Sequence, residues 1–221
     1  MNVGPTTTMH SRAVYCFVMA GIFLASLSLR RAVPLEAIPS AGHDDGLFVG
    51  LAGNLLAEDW LGSYSHLTLI KGMFYPLFIA VSHVLGLPVK VAEHLAYLGA
   101  ALLLSAVAGR LIGSRLMVAG LFAVLAFNPF QWMGPQMARV VRDCLYGSLT
   151  VAVLALAARA FLVDAEAQRP LAGRSTYLVG LGVALGAFWL TREEREWILP
   201  ALVLLFAYWL FHRARAWRVA G

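Results

Sequence analysis

Asp44 and Asp45 stand side by side in the run His43-Asp44-Asp45-Gly46. Adjacent carboxylates can act as a general base with a supporting acid, or jointly hold a divalent cation. Further on, Lys71 stands alone before an apolar stretch, where an ammonium can serve as a point charge for a phosphate. A third group is Arg139, Arg142 and Asp143, and a fourth is the run 192–196, which reads Arg-Glu-Glu-Arg-Glu. Arginines at such density suit a phosphate clamp.

Each group also has a plainer reading. Asp44 or Asp45 can cap a short helix, with Phe48, Leu51, Ala52 and Leu55 recurring at i, i+3, i+4 and i+7 on its apolar face. Lys71 can snorkel toward lipid headgroups. Arg139 and Asp143 have the spacing of a simple i,i+4 ion pair, and 192–196 can be a solvated turn laced with salt bridges. His43 and His66 flank the first loop, but their spacing is not that of a metal site. Trp60 and Tyr64 read as interfacial aromatics.

The elements that must position these groups are apolar. The chain has 221 residues, 60% of them hydrophobic and 13% charged, with a mean hydropathy of +0.74. A soluble domain carries roughly 25% charge, so this chain lacks the polar surface to cover itself. The expected fold class is an all-α, polytopic membrane helical bundle forming a single transmembrane domain over residues 1–221. Of the 17 basic residues 15 are Arg, giving a formal charge of +5. Most of them end apolar runs, which points to membrane anchoring and topology rather than nucleic acid. Cys16 and Cys144 lie in or beside apolar segments and form no disulfide framework.

Six runs approach the roughly 20 residues that a spanning helix needs: 13–29, 92–108, 116–132, 146–163, 177–190 and 197–211. The first resembles a signal peptide in length but lacks a small-x-small cleavage site, so it reads as a retained helix. The stretch 73–87, with Pro76 and His83, is too short to span comfortably and is expected to lie along the interface. That gives about six transmembrane helices plus two juxtamembrane helices in a first external loop, residues 34–91. The bundle is expected to enclose no acid and almost no charge between the ends of its spans, which argues against a transporter. Arg110 and Arg115, then Arg159, Arg169 and Arg174, then Arg213, Arg215 and Arg218 alternate along the chain and are expected to share the cytoplasmic face. The loops bearing Asp44, Arg139 and Arg192 then share the other face. Counting Lys and Arg alone does not decide between six spans and seven.

The acidic pair, the Leu-Leu-Ala-Glu-Asp-Trp run at 55–60 and Lys71-Gly72-Met73 before Pro76 together resemble the first external loop of the GT-C glycosyltransferases. That family includes the protein O-mannosyltransferases and the lipid A aminoarabinose transferase. Asn128-Pro129 through Arg139 and Asp143 is similar to its second external loop, and Phe188-Trp189-Leu190-Thr191-Arg192 to its apolar-Leu-Thr-basic turn. The resemblance implies transfer of a sugar from a polyprenyl phosphate to a lipid, glycan or protein acceptor at the extracytoplasmic face, in a multi-pass protein of the bacterial inner membrane. It implies Asp44 and Asp45 as catalytic residues, with a divalent cation between them if one is used. Lys71, Arg139 and Arg192 would bind the phosphate, supported by Arg142, Asp143 and Arg195. Members of that family usually continue with more helices and often a soluble domain. The reading therefore includes a partner subunit supplying that part, or a protein that binds lipid-linked substrate without catalysis.

Overall fold

A computed structural model describes residues 5–35, 44–60, 62, 71–132, 138–163, 175–194 and 196–220. The described residues are helical, with no strand among them. Eight α-helices follow in order: α1 (Pro5–Ala32), α2 (Asp44–Leu56), α3 (Phe74–Val84), α4 (Val89–Ile112), α5 (Arg115–Ala126), α6 (Asp143–Ala158), α7 (Ser175–Trp189) and α8 (Leu199–Ala220). A π turn, Arg159–Val163, extends α6.

Three stretches are long and apolar enough to cross a membrane: Arg12–Ala32, Val89–Ile112 and Asp143–Val163. The apolar run 116–132 yields a helix of only 12 residues, Arg115–Ala126, about 18 Å long. The cause is Asn128-Pro129: proline disfavours the helical region for the residue before it and cannot continue the hydrogen-bond ladder. α7 has 15 residues and is about 22 Å long. α3 has 11, about 16 Å, well short of the roughly 30 Å hydrocarbon layer. The face that α1 turns outward carries Val14, Phe17, Val18, Leu24 and Leu29, all exposed, as a lipid-facing helix requires.

α4 is the centre of the bundle, packed on α6 and α5, while α1 packs on α4 and α5 and α7 packs on α6. Leu98 and Ala101 of α4 meet Phe122 and Ala126 of α5, with Met19, Ile22, Phe23 and Leu27 of α1 against them. Val153 and Ala157 of α6 meet Leu181 and Phe188 of α7. The α4–α5 hairpin closes at Gly113, whose left-handed φ of 73° suits a residue without Cβ. Ser114 caps α5 by accepting the Met117 N–H.

Long-range bonds sort the helix ends. Arg30 at the end of α1 donates to the Gln131 carbonyl, Tyr75 of α3 reaches Glu93 near the start of α4, and Arg142 before α6 reaches Thr191 after α7. The first loop, the α5–α6 connection and the 190–194 turn therefore occupy one end, and the Gly113–Ser114 turn the other. Two arginines depart from the expected anchoring at the membrane surface. Arg30 is buried, and Arg159 is also buried, its guanidinium 4.5 Å from the centre of the Tyr177 ring.

Candidate functional site

α2 begins at Asp44 and buries Phe48, Leu51 and Ala52, the face expected from their spacing. Its N-terminal turn, where unpaired N–H groups favour negative charge, carries Asp45. That carboxylate is buried and takes two hydrogen bonds from Arg139, Nε to Oδ2 at 3.1 Å and Nη2 to Oδ1 at 3.0 Å. This planar, two-point pairing spans 94 residues of sequence and holds the first loop to the α5–α6 connection. The side chain of Asp44 lies outside the described residues, as do those of His43, His66, Tyr64 and Arg195. Trp60 is exposed. Among the described residues no three His, Cys, Asp or Glu side chains group to hold a metal ion.

Arg139 and Asp143 do not form the expected i,i+4 pair. α6 starts only at Asp143, so Arg139 lies in the preceding bend and the helical spacing does not apply. Asp143 instead accepts from Arg192 at 2.6 Å, and Arg192 also bridges Glu194 at 3.2 Å. Arg142 donates to the Thr191 carbonyl at 3.2 Å and holds Glu193 through both its terminal nitrogens, at 2.9 and 2.7 Å. Tyr146, one turn into α6, donates to the Glu194 carbonyl and accepts from the Trp197 indole. The run after α7 is thus a clasp wrapped over the start of α6, not a freely solvated turn.

The third segment of the assembly is Lys71-Gly72. Phe74 N–H donates to the Leu190 carbonyl, and a Cβ on Gly72 would collide with that same oxygen. Glycine is required here by close backbone approach, and the charge of Lys71 comes within range of Glu193. Partial burial works against charge on Glu193. The Arg142 hydrogen bond, a backbone bond and the charges of Arg142 and Lys71 outweigh it, holding the carboxyl below its usual range.

Five of the expected residues therefore gather within one end of the bundle: Asp45 with Arg139, Arg142 beside Asp143, and Arg192. Lys71 joins through Glu193. Toward the other end of α2 from Asp45, α2 and α3 diverge around an apolar groove of about 320 Å³, lined by Leu55 and Leu56 on one side and Leu77, Val81 and Val84 on the other. Acid and base balance in the described cluster, so an incoming anion must exchange places with a carboxylate to reach a guanidinium.

A second polar network contradicts the expectation of acid-free spans. Glu93, just past the first turn of α4, is almost fully buried. It accepts from Tyr75 Oη at 2.6 Å and from Lys90 Nζ at 2.8 Å. Burial first, then the charge of Glu93 and the bond to it, push the Tyr75 phenol well above its ordinary range, so the phenol stays the proton donor. Next along the helix, His94 shares a 2.9 Å hydrogen bond with Ser26 Oγ, which donates to the Ala126 carbonyl. Arg30 lies close enough for its charge to act on Glu93, His94 and Cys144. The signal for this network is visible in the sequence: Lys90, Glu93 and His94 open an otherwise apolar helix, where ionisable groups need a stated partner.

Comparisons with protein-family models, with curated protein sequences and with solved structures return no match.

Proposed function

We propose that this chain is a membrane glycosyltransferase of the GT-C type, or the transmembrane module of one, using a polyprenyl-phosphate-linked sugar. The observation that carries the reading is that Arg139, Arg142 and Arg192, from two separate loops, gather at one end of the bundle, on Asp45 of α2, Glu193 and Asp143 of α6 respectively. Preorganised cations beside a low-dielectric slab are where stabilisation of a developing phosphate charge is greatest. The apolar groove along α2 and α3 matches the hydrocarbon portion of such a donor. In this reading six helices span a bacterial inner membrane, α2 and α3 lie at its outer surface, and a partner subunit supplies any further acceptor-binding part.

Both oxygens of Asp45 are taken by Arg139, which makes Asp45 the anchor and leaves the base to Asp44. Asp44 accepts the proton of an acceptor hydroxyl as its oxygen bonds to the anomeric carbon. The bond from that carbon to the phosphate oxygen breaks, the polyprenyl phosphate leaves with its electron pair, and configuration inverts. Lys71 and Arg192 hold the departing phosphate, with Arg139, Arg142 and Asp143 keeping the loops in register. With both Asp45 oxygens held by Arg139, the pair does not fit the divalent cation that the resemblance allowed there, and no step is routed through one.

One observation favours a second reading, a protein that binds a lipid-linked substrate or a partner enzyme without turnover. Arg139, Arg142 and Arg192 are each already paired with an acid, so the resting site is neutralised rather than open. The deciding experiment is polyprenyl-phosphate binding to the chain in nanodiscs, with Lys71→Ala and Arg192→Ala alongside wild type. Binding weakened by both variants supports a phosphate site, and transfer lost in Asp44→Asn with normal folding supports catalysis. Binding no better than that of an unrelated membrane protein refutes the transferase reading and the lipid-binding form of the second.

A further inference from the structure

The buried Tyr75–Glu93 pair is not used by the reading above, and its position relates it to the site. The Tyr75 ring stands edge-on against Phe48, with centroids 5.1 Å apart and planes at 89°. Phe48 lies one turn after Asp45 on α2. On its other side is Arg142, whose guanidinium carbon is 5.9 Å from the Phe48 ring centre. A continuous line of contacts therefore runs from Glu93 in α4, through the Tyr75 hydroxyl and ring, to Phe48 and the start of α2. There Asp45 grips Arg139 and Phe48 supports Arg142.

The chemistry of the line matters as much as its path. α2 meets α3 mainly through apolar side chains, and apolar packing alone permits sliding and rotation. A hydrogen bond from a phenol to a carboxylate is directional, and Lys90 fixes that carboxylate from the other side. A buried ionic group is a poor device for stability, since an apolar pair of similar volume commonly does as well, but it specifies one arrangement among several. Charge placed inside an apolar helix calls for such a purpose.

We infer that Tyr75 and Glu93 are positioning residues: together they form a strut from α4 that sets the angle of α2 and so aligns Asp45 with Arg139 and Arg142. The inference rests on the reading of that end as a phosphate site. The strut touches no substrate. It acts by holding α3, and through Phe48 the first turn of α2, in one register against the bundle.

The test uses the full chain in nanodiscs, with Cys16→Ser and spin labels at exposed helical glycines that have open space around them. One pair, Gly53→Cys with Gly99→Cys, reports α2 against α4. A second, Gly99→Cys with Gly182→Cys, reports α4 against α7 and serves as the control. Tyr75→Phe removes only the hydroxyl and keeps the ring on Phe48. The expected result is a broadened or shifted α2–α4 distance, an unchanged α4–α7 distance, and polyprenyl-phosphate binding weaker by about three- to tenfold, the worth of one hydrogen bond. Glu93→Gln combined with Lys90→Met, which keeps a hydrogen-bond partner for Tyr75 and strands no buried charge, should fall between wild type and Tyr75→Phe on both readouts.

An unchanged α2–α4 distance in Tyr75→Phe overturns the strut. Broadening of both distances shows general loosening and overturns positioning. Movement of α2 with binding unaltered overturns the link to the site. If wild type binds no lipid phosphate, the functional reading fails by that measurement alone, and the claim that the strut serves a phosphate site fails with it, whatever the distances show.

Discussion

Two clusters of charge lie at the same end of this bundle and behave as opposites. Around Asp143, Arg192 and Glu193, side chains are partly exposed, with Arg142 alone buried among them; the Glu193 side chain retains 42% of its accessible surface. Around Lys90 and Glu93 the side chains retain 7% and 1%. The geometry is similar, with nitrogen–oxygen separations of 2.6–2.8 Å in both, yet the energetics differ. Exposed pairs are worth about 0–1 kcal/mol because water competes for both ions. A buried pair contributes little net stability when intact, but losing one partner strands a charge where nothing solvates it. The outer cluster can therefore open to an anion at small cost, whereas the inner one is locked. Exchangeable arginines on a locked frame are what a binding site at a membrane face needs.

The sharpest way to break the comparison is Glu93→Ala. It leaves Lys90 buried without its partner and should cost about 3–5 kcal/mol, read as a large fall in thermal unfolding temperature. Replacing both residues by Met should recover most of that loss. If the single variant is as stable as wild type, the inner cluster is not locked.

Gly72→Ala should rank second. Its Cβ meets backbone rather than a movable side chain, so the 71–74 and 190–194 segments must separate, at about 1–3 kcal/mol as for other overpacked sites. Proteolysis within either segment should quicken accordingly. Arg192→Ala comes next, expected to lower stability by no more than about 1 kcal/mol while still removing lipid-phosphate binding. Equal loss of folding in Arg192→Ala and Glu93→Ala would erase the distinction between the clusters.

The smallest effect is in pH. Because the Glu193 carboxyl is held below its ordinary range, the folded state favours its charged form. The resulting stability is present above the unfolded value and is lost as pH falls through the lowered folded value. Thermal unfolding of wild type and Glu193→Gln should differ at neutral pH and converge on acidification below the usual carboxylate range. Convergence on raising the pH would contradict the assigned direction.

Much of the local structure was legible from one residue to the next. The face of α2, the brevity of α3 and the grouping of the Asp45, Arg139 and Arg192 loops at one end follow from apolar spacing and the placement of charge. The partnerships did not follow. Arg139 and Asp143 look like a helical pair until the helix start at Asp143 separates them, and the ends of α5 moved because Pro129 acts on the residue before it. An average over an apolar segment hides a single acid near its end, as it does Glu93, although Lys90 three residues earlier is the signal of a satisfied pair.

The sequence by itself determined an all-helical, membrane-type chain, since apolar content and periodicity act locally and are read directly. Only the tertiary structure decided which acid meets which base, because those contacts join residues 49 to 94 positions apart and depend on how the helices cross. It likewise decided that Gly72 must lie under a carbonyl and that Glu93 must face a tyrosine. Burial sets the energy of a charge, and burial is a property of the packed bundle rather than of any segment within it.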